Sequence, residues 1–203
     1  LAVGCPVIVK AHPGHPGTCA KLSEIVKEAA KTSEMPTGTF LLLQGEDHRV
    51  SRELVEHPLT KAVAFTGSLQ GGRALATIAA ARNEPIPFYA EMGSLNPLFI
   101  LPGAIRERSE EIARGYVEAI NLFAGQMCTK PGAVVLIDEP GIETFLSKAT
   151  ESTRAKPPLA MLNRSILENY ETSTKALAEK AELLAESETS PEISRNEATS
   201  RLF

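Results

Sequence analysis

Ala62-Val63-Ala64-Phe65-Thr66-Gly67-Ser68-Leu69-Gln70-Gly71-Gly72-Arg73 decides the fold. Its first five residues are apolar or β-branched and read as a buried strand. Gly67-Ser68 ends that strand, and an Ala-rich helix follows from about Gly72 to Arg82. Toward the N-terminus the same alternation repeats. Val7-Ile8-Val9 is a strand, Lys10 to Gly17 a Pro-Gly loop, and Thr18 can cap a helix from Cys19 to about Lys31. Thr39 to Gln44 is the second strand, and Val50 to Glu56 a short helix that stops before His57-Pro58. Toward the C-terminus, Asn83 to Pro87 breaks the Ala-rich helix, and Phe88 to Met92 is a fourth strand ending at Gly93. Strand and helix alternating through short connections predict parallel β-α-β units, an open α/β layer over residues 7–92. In such sheets ligands sit outside the carboxyl ends of the strands, where Lys10, Gly45, Gly67-Ser68 and Glu91-Met92-Gly93 fall.

The second half continues as a strand at Leu98–Leu101, a helix from Arg106 to about Ala124, and a strand from Ala133 to Asp138. A helix from Ile142 to about Glu151 follows. The last fifty residues carry Ala, Lys and Glu at the spacing of exposed helix faces, read as helices over Asn163–Tyr170 and Ser173–Glu188. The expected division is residues 1–93 and 94–203.

Hydrophobic content of 43% and charged content of 23% are those of a globular protein. A net charge of -4 argues against nucleic acid or an anionic membrane as partner. No apolar run is long enough to span a bilayer. Three cysteines make no disulfide framework, which points to a reducing cytoplasm. Residue 1 is Leu and no signal-peptide pattern follows, so the chain reads as a piece cut from something longer.

Four positions carry candidate chemistry. Cys128 lies in Phe123-Ala124-Gly125-Gln126-Met127-Cys128-Thr129-Lys130-Pro131-Gly132, at a helix-to-strand junction between glycines. A thiol there is reachable and reads as a nucleophile; the alternative is a small buried hydrophobe. Glu91 ends a strand with apolar neighbours, where partial desolvation would suit a general base; the alternative is an edge glutamate paired with Lys or Arg. Gly67, Ser68 and Gly72, between strand and helix, read either as a phosphate cradle or as a tight turn with a helix cap, since the spacing is not G-x-G-x-x-G. Lys10 can reach a ribose hydroxyl or a phosphate, or be a solvated strand end. His12 and His15 have no Cys or Asp cluster beside them, so no metal site is expected.

Together these residues form a pattern. Val9-Lys10, Phe65-Thr66-Gly67-Ser68 with Gly72, Glu91-Met92-Gly93 with Pro97, and Gly125-Gln126-Met127-Cys128 occur in this order. They resemble the V-x-K, F-T-G-S-x-x-x-G, E-x-G-x-x-x-P and G-Q-x-C motifs of the aldehyde dehydrogenase superfamily. The wording around them is similar to the branch that oxidises α-ketoglutarate semialdehyde, with an NADP-dependent fatty-aldehyde enzyme close by. The resemblance implies a partial dinucleotide-binding domain over 1–93 and a partial catalytic domain over 94–203. It implies Cys128 as nucleophile, Glu91 as the base that activates water, and the Cys128 N–H as an oxyanion donor. Lys10 would contact the adenosine ribose or its phosphate, and Gly67, Ser68 and Gly72 the pyrophosphate. It further implies an aldehyde substrate and a homo-oligomer.

Departures from the family pattern matter as well. Many NAD-using members place a Glu three residues after the Lys, where it holds the ribose hydroxyls; here that residue is Pro13. Losing a carboxylate removes repulsion against a 2′-phosphate, so NADP is favoured over NAD as cofactor. The family's side-chain oxyanion Asn would fall before residue 1, and its nicotinamide-ribose clamp after residue 203. The isolated chain is therefore expected to be weakly active or inactive. A truncated relative that binds nucleotide or a partner subunit without catalysis is the alternative. A CoA-acylating relative would not need Glu91.

Overall fold

The computed structural model describes residues 1–188 and 196–203. The chain divides into two compact units, Leu1–Gly93 and Ser94–Phe203.

In the first unit β1 (Val7–Lys10) pairs in parallel with β2 (Phe40–Leu43), Val7 opposite Phe40 and Lys10 opposite Leu43. Helix α1 (Pro16–Thr32) joins them and packs on β2. It begins ahead of the expected Thr18 cap, with His15 at the N-cap and Pro16 in the first turn. Proline's fixed φ suits that turn, and its missing N–H would have no intrahelical partner there. Helix α2 (Arg49–Glu56) leads to β3 (Val63–Gly67), which pairs in parallel with β4 (Phe88–Met92), Gly67 opposite Met92. Between them α3 (Leu69–Ala81) starts three residues earlier than expected, because Ser68 caps it: its Oγ accepts from the Gly71 N–H at 3.1 Å. The unit thus holds two parallel pairs, and among the described residues no ladder joins β2 to β3. Large strand residues face solvent, Ile8, Val9, Leu41 and Tyr89 among them.

The second unit is built on β5 (Pro97–Ile100) and β6 (Ala133–Leu136), also parallel, with Pro97 opposite Ala133. Helices α4 (Pro102–Asn121) and α5 (Ile142–Arg154) pack on each other, and their facing residues Ile105, Ala113, Tyr116, Val117, Phe145 and Ala149 form the core with Ile100. Pro102 again takes the first turn, which moves the start of α4 four residues ahead of Arg106. The helix ends at Asn121, short of Ala124, because Phe123 and Ala124 turn left-handed at φ 50° and 57°. Gly141, at φ +108°, opens α5 against α4: a Cβ there would lie 2.6 Å from the Ile105 carbonyl oxygen.

The C-terminal part departs most from expectation. One helix, α6 (Arg164–Ala178), replaces the two expected, capped by Asn163, whose Oδ1 accepts from the Ile166 N–H at 2.9 Å. Short strands surround it: β7 (Leu159–Ala160) pairs antiparallel with β9 (Glu197–Ala198), and β8 (Ala185–Glu186) with β10 (Arg201–Leu202). The helix expected to reach Glu188 stops at Ala178, and Ala185–Glu186 lies instead in a strand, where Glu186 is held by its side chain. Its Oε1 accepts from Arg201 at 2.9 Å and from the Thr199 hydroxyl at 2.6 Å. These two contacts hold its carboxyl below the usual carboxylate range, the Thr199 bond contributing most. Residues 189–195, within the stretch read as helical, lie outside the described residues.

Thr153, on α5, is fully buried and its hydroxyl has no hydrogen-bond partner. Replacing it with Val keeps the shape and removes an unpaired polar group. Thr153→Val is expected to raise unfolding free energy by about 1 kcal/mol, read from urea denaturation. A loss of stability would mean that the hydroxyl has a partner.

Candidate active site

The register of β5 and β6 brings together the two segments that precede them. Gly132 donates its N–H to the Leu95 carbonyl at 2.7 Å, so Ser94–Asn96 runs beside Cys128–Gly132. Lys130 N–H donates to Met127 O at 3.1 Å, which closes a turn with Cys128 and Thr129 at its two central positions. The Cys128 thiol is exposed on this turn. It is neither inside a helix face nor buried as a small hydrophobe.

Two side chains hold the turn from outside. The Ser94 hydroxyl donates to Cys128 O at 2.5 Å. Asn96 Nδ2 lies 2.7 Å from the same oxygen, 3.0 Å from Lys130 O and 3.1 Å from Ser94 Oγ. Asn96 has φ +47°, a conformation that Asn tolerates better than most residues. Gln126 ties the approach to the turn: its Nε2 donates to Phe123 O at 2.9 Å, and its Oε1 accepts from the Leu162 N–H at 2.8 Å. Phe123, Ala124 and Gly125 are consecutively left-handed, and a Cβ on Gly125 would lie 2.9 Å from Ile120 O. Sequence reasoning passes over Ser94, Asn96 and Gln126 as site residues. The available signal is a short amide directly before Pro97, and a Gln inside the G-Q-x-C motif.

Glu91 lies in the other unit, on β4 opposite Thr66. It is exposed and shares its strand face with Tyr89, so the expected partial desolvation is not supplied by its neighbours on the strand. No salt bridge holds it among the described residues, which removes the paired edge-glutamate alternative.

The expected cofactor residues sit at the carboxyl ends of β1 and β3. Lys10 is the last residue of β1 and makes no ion pair among the described residues. Just beyond it the His12 and His15 rings stack, centroids 4.8 Å apart and planes within 9°. His12 Nδ1 accepts from Gly14 N–H at 3.0 Å, and Cys19 Sγ meets His15 Nδ1 at 3.3 Å. Burial, then the charges of His15 and Lys10, push His12 below the ordinary histidine range. Lys10 is the cation of this cluster, and His12 is held toward its neutral form. Gly67 is the last residue of β3, and Ser68 caps α3, so the helix-cap reading holds there. The cap takes the Gly71 amide and leaves the hydroxyl proton and the Leu69 and Gln70 amides available to an anion. Gly72 is buried; a Cβ there would run into Met92 Sδ and lie 3.1 Å from Phe65 Cε1. Its lack of a side chain lets α3 pack closely against Phe65 of β3 and Met92 of β4. Among the described residues no three His, Cys, Asp or Glu side chains are grouped to hold a metal ion, and no helix is long and apolar enough to cross a membrane.

Parallel strand pairs joined through helices place the chain in the α/β class, with a thiol exposed on a turn before a strand. The chain belongs to the aldehyde dehydrogenase family, whose model matches residues 1–190. It is 45% identical over 179 residues, 88% of its length, to the alpha-ketoglutaric semialdehyde dehydrogenase 2 of Azospirillum brasilense, covering 34% of that protein. It is 42% identical over 177 residues to the alpha-ketoglutaric semialdehyde dehydrogenase of Acinetobacter baylyi, covering 87% of this chain and 33% of that one. The chain thus spans about a third of the length of these curated relatives. Among solved structures, proline utilization A from Bradyrhizobium japonicum superposes with a TM-score of 0.83 at 20% identity, over 97% of this chain and 20% of that one. That likeness establishes the fold.

The cluster at the end of β1 makes a direct prediction. His12 should titrate below free histidine, and Lys10→Met should move its midpoint upward by removing one repelling charge. Proton NMR of the imidazole Cε1–H across pH 4–8 reads both. A His12 midpoint at or above that of free histidine would contradict the geometry.

Proposed function

We propose that this chain carries the nucleophile and the water-activating carboxylate of an NAD(P)-dependent aldehyde dehydrogenase. Its substrate would be α-ketoglutarate semialdehyde or a related aliphatic aldehyde. The observation that carries this reading is the exposed Cys128 thiol on a turn held by Ser94 and Asn96. The relatives' names support the substrate class.

The chemistry follows from the residue types. The Cys128 thiolate adds to the aldehyde carbon and forms a thiohemiacetal, for which sulfur is a strong nucleophile. The Cys128 N–H donates to the developing oxyanion. Loss of hydride from that adduct leaves a thioester on Cys128. Glu91 then takes a proton from water, and the hydroxide equivalent cleaves the thioester to the carboxylic acid and regenerates the thiol. A bound nicotinamide dinucleotide would supply the hydride acceptor. The residues at the strand ends fit such a group. Lys10 presents positive charge at the end of β1, beside the stacked His12 and His15 rings, and the Ser68-capped start of α3 presents backbone amides. The first unit, residues 1–93, is the proposed dinucleotide-binding portion and residues 94–203 the proposed catalytic portion. The absence of a carboxylate at Pro13 and the Lys10 cation nearby favour NADP over NAD. A homo-oligomer in the cytoplasm is the proposed working form.

Two variants of the full-length gene product test this. Cys128→Ala should abolish aldehyde-dependent NAD(P)H formation. Glu91→Gln should lower steady-state kcat by about 10²–10⁴-fold, yet leave a rapid burst of NAD(P)H as the thioester accumulates. Turnover by Cys128→Ala would sink the reading. For the cofactor, KM for NADP should be lower than for NAD; the reverse order would refute the NADP preference.

A further inference from the structure

We propose that Asn96 is a positioning residue for Cys128, acting through the nucleophile's own carbonyl oxygen; the proposal rests on the reading of Cys128 as nucleophile.

Cys128 O has two lone pairs, and two donors reach it: the Ser94 hydroxyl at 2.5 Å and Asn96 Nδ2 at 2.7 Å. Nδ2 carries two protons and faces three acceptors. The nearer two, Cys128 O and Lys130 O at 3.0 Å, take them. Ser94 Oγ, at 3.1 Å, spends its own proton on Cys128 O. One amide therefore ties together the carbonyls at both ends of residues 128–130, and Lys130 N–H closes the same segment onto Met127 O. The peptide plane after Cys128 is fixed, which leaves side-chain rotation as the main freedom of the thiol. Attack on a carbonyl carbon needs close approach along a defined direction. A fixed peptide plane supplies that direction, and a floppy turn would not.

A purely backbone role is the rival. Asn96 sits at φ +47°, and Asn could be present only because it tolerates that conformation. Asn96→Gly separates the two, because glycine adopts positive φ without strain and offers no amide. In the full-length gene product, Asn96→Gly should lower kcat/KM for the aldehyde about tenfold or more, mostly through kcat. Alkylation of Cys128 by iodoacetamide, a small reagent that needs no fixed approach, should stay within about twofold of wild type. Asn96→Asp keeps the size but turns a carboxylate toward two carbonyl oxygens, and should fall below Asn96→Gly. Wild-type kcat/KM in Asn96→Gly would overturn the proposal. So would an alkylation rate that drops in step with turnover, since the amide would then act on thiol reactivity and not on position. Should Asn96→Gly fail to fold, Ser94→Ala decides on the same two readouts, because it removes one of the two donors to Cys128 O and leaves Asn96 in place. Activity retained in Cys128→Ala is a different result and refutes the nucleophile reading itself.

Discussion

The parallel pairing of β5 with β6 is the constraint on which the candidate site depends. Because Pro97 lies opposite Ala133, the residues just before each strand must also run side by side. Those residues are Ser94–Asn96 and Cys128–Gly132, more than thirty positions apart in the chain. Nothing local brings them together; the ladder does, and the α4–α5 core holds the ladder. A shift of one residue in that register would turn every β6 side chain to the opposite face and carry the Cys128 carbonyl away from its donors. The thiol sits at the entry of a strand and not at its exit, so the rule that places ligands outside carboxyl ends applies to the first unit only.

Around this pair of strands the chain spends conformational freedom unevenly. Phe123 and Ala124 are non-glycine residues in left-handed conformations, each at a cost of about 1–2 kcal/mol. That cost is met by Gln126, which bonds backbone groups on both sides of it, and by packing of Ala124 against Met161, Leu167 and Ala198. At the far end Arg201 stacks 5.5 Å from the Tyr170 ring centroid and bonds Glu171, Glu186 and the Thr174 hydroxyl. Burial pushes the Tyr170 hydroxyl up to about 12, so it stays a donor, and it gives its proton to Thr199 O at 2.7 Å. Contacts between residues far apart in sequence, as well as helix propensity, thus hold the described residues around α6.

That difference explains what the sequence discloses. The β-α alternation is legible because β-branched runs, glycines and prolines are local signals, and the parallel pairs β1–β2, β3–β4 and β5–β6 follow from it. Helix starts at Pro16 and Pro102 are misjudged when proline is read only as a breaker and not as a first-turn residue. The Ala, Lys and Glu spacing after Ser173 is a true helical pattern that Arg201 overrides from outside the segment. At the candidate site the thiol is legible, because a reactive residue type stands between turn formers. Asn96 is not, because its contribution is a contact to a carbonyl that no pattern along the chain encodes. Gly72 is legible as a glycine at a strand-to-helix junction, and its packing against Met92 is made plain only by the β3–β4 register.

The two-stranded sheets have a consequence for how this polypeptide behaves in concentrated solution. Each parallel pair offers hydrogen-bonding groups along its outer edges, and apolar side chains stand on the faces nearby: Ile8, Leu41, Tyr89 at 67% and Phe99 at 65% exposure. Open edges beside apolar rows are templates for intermolecular pairing. Colloidal stability should therefore depend on protein concentration and on added strand-forming peptides far more than a net charge of -4 suggests.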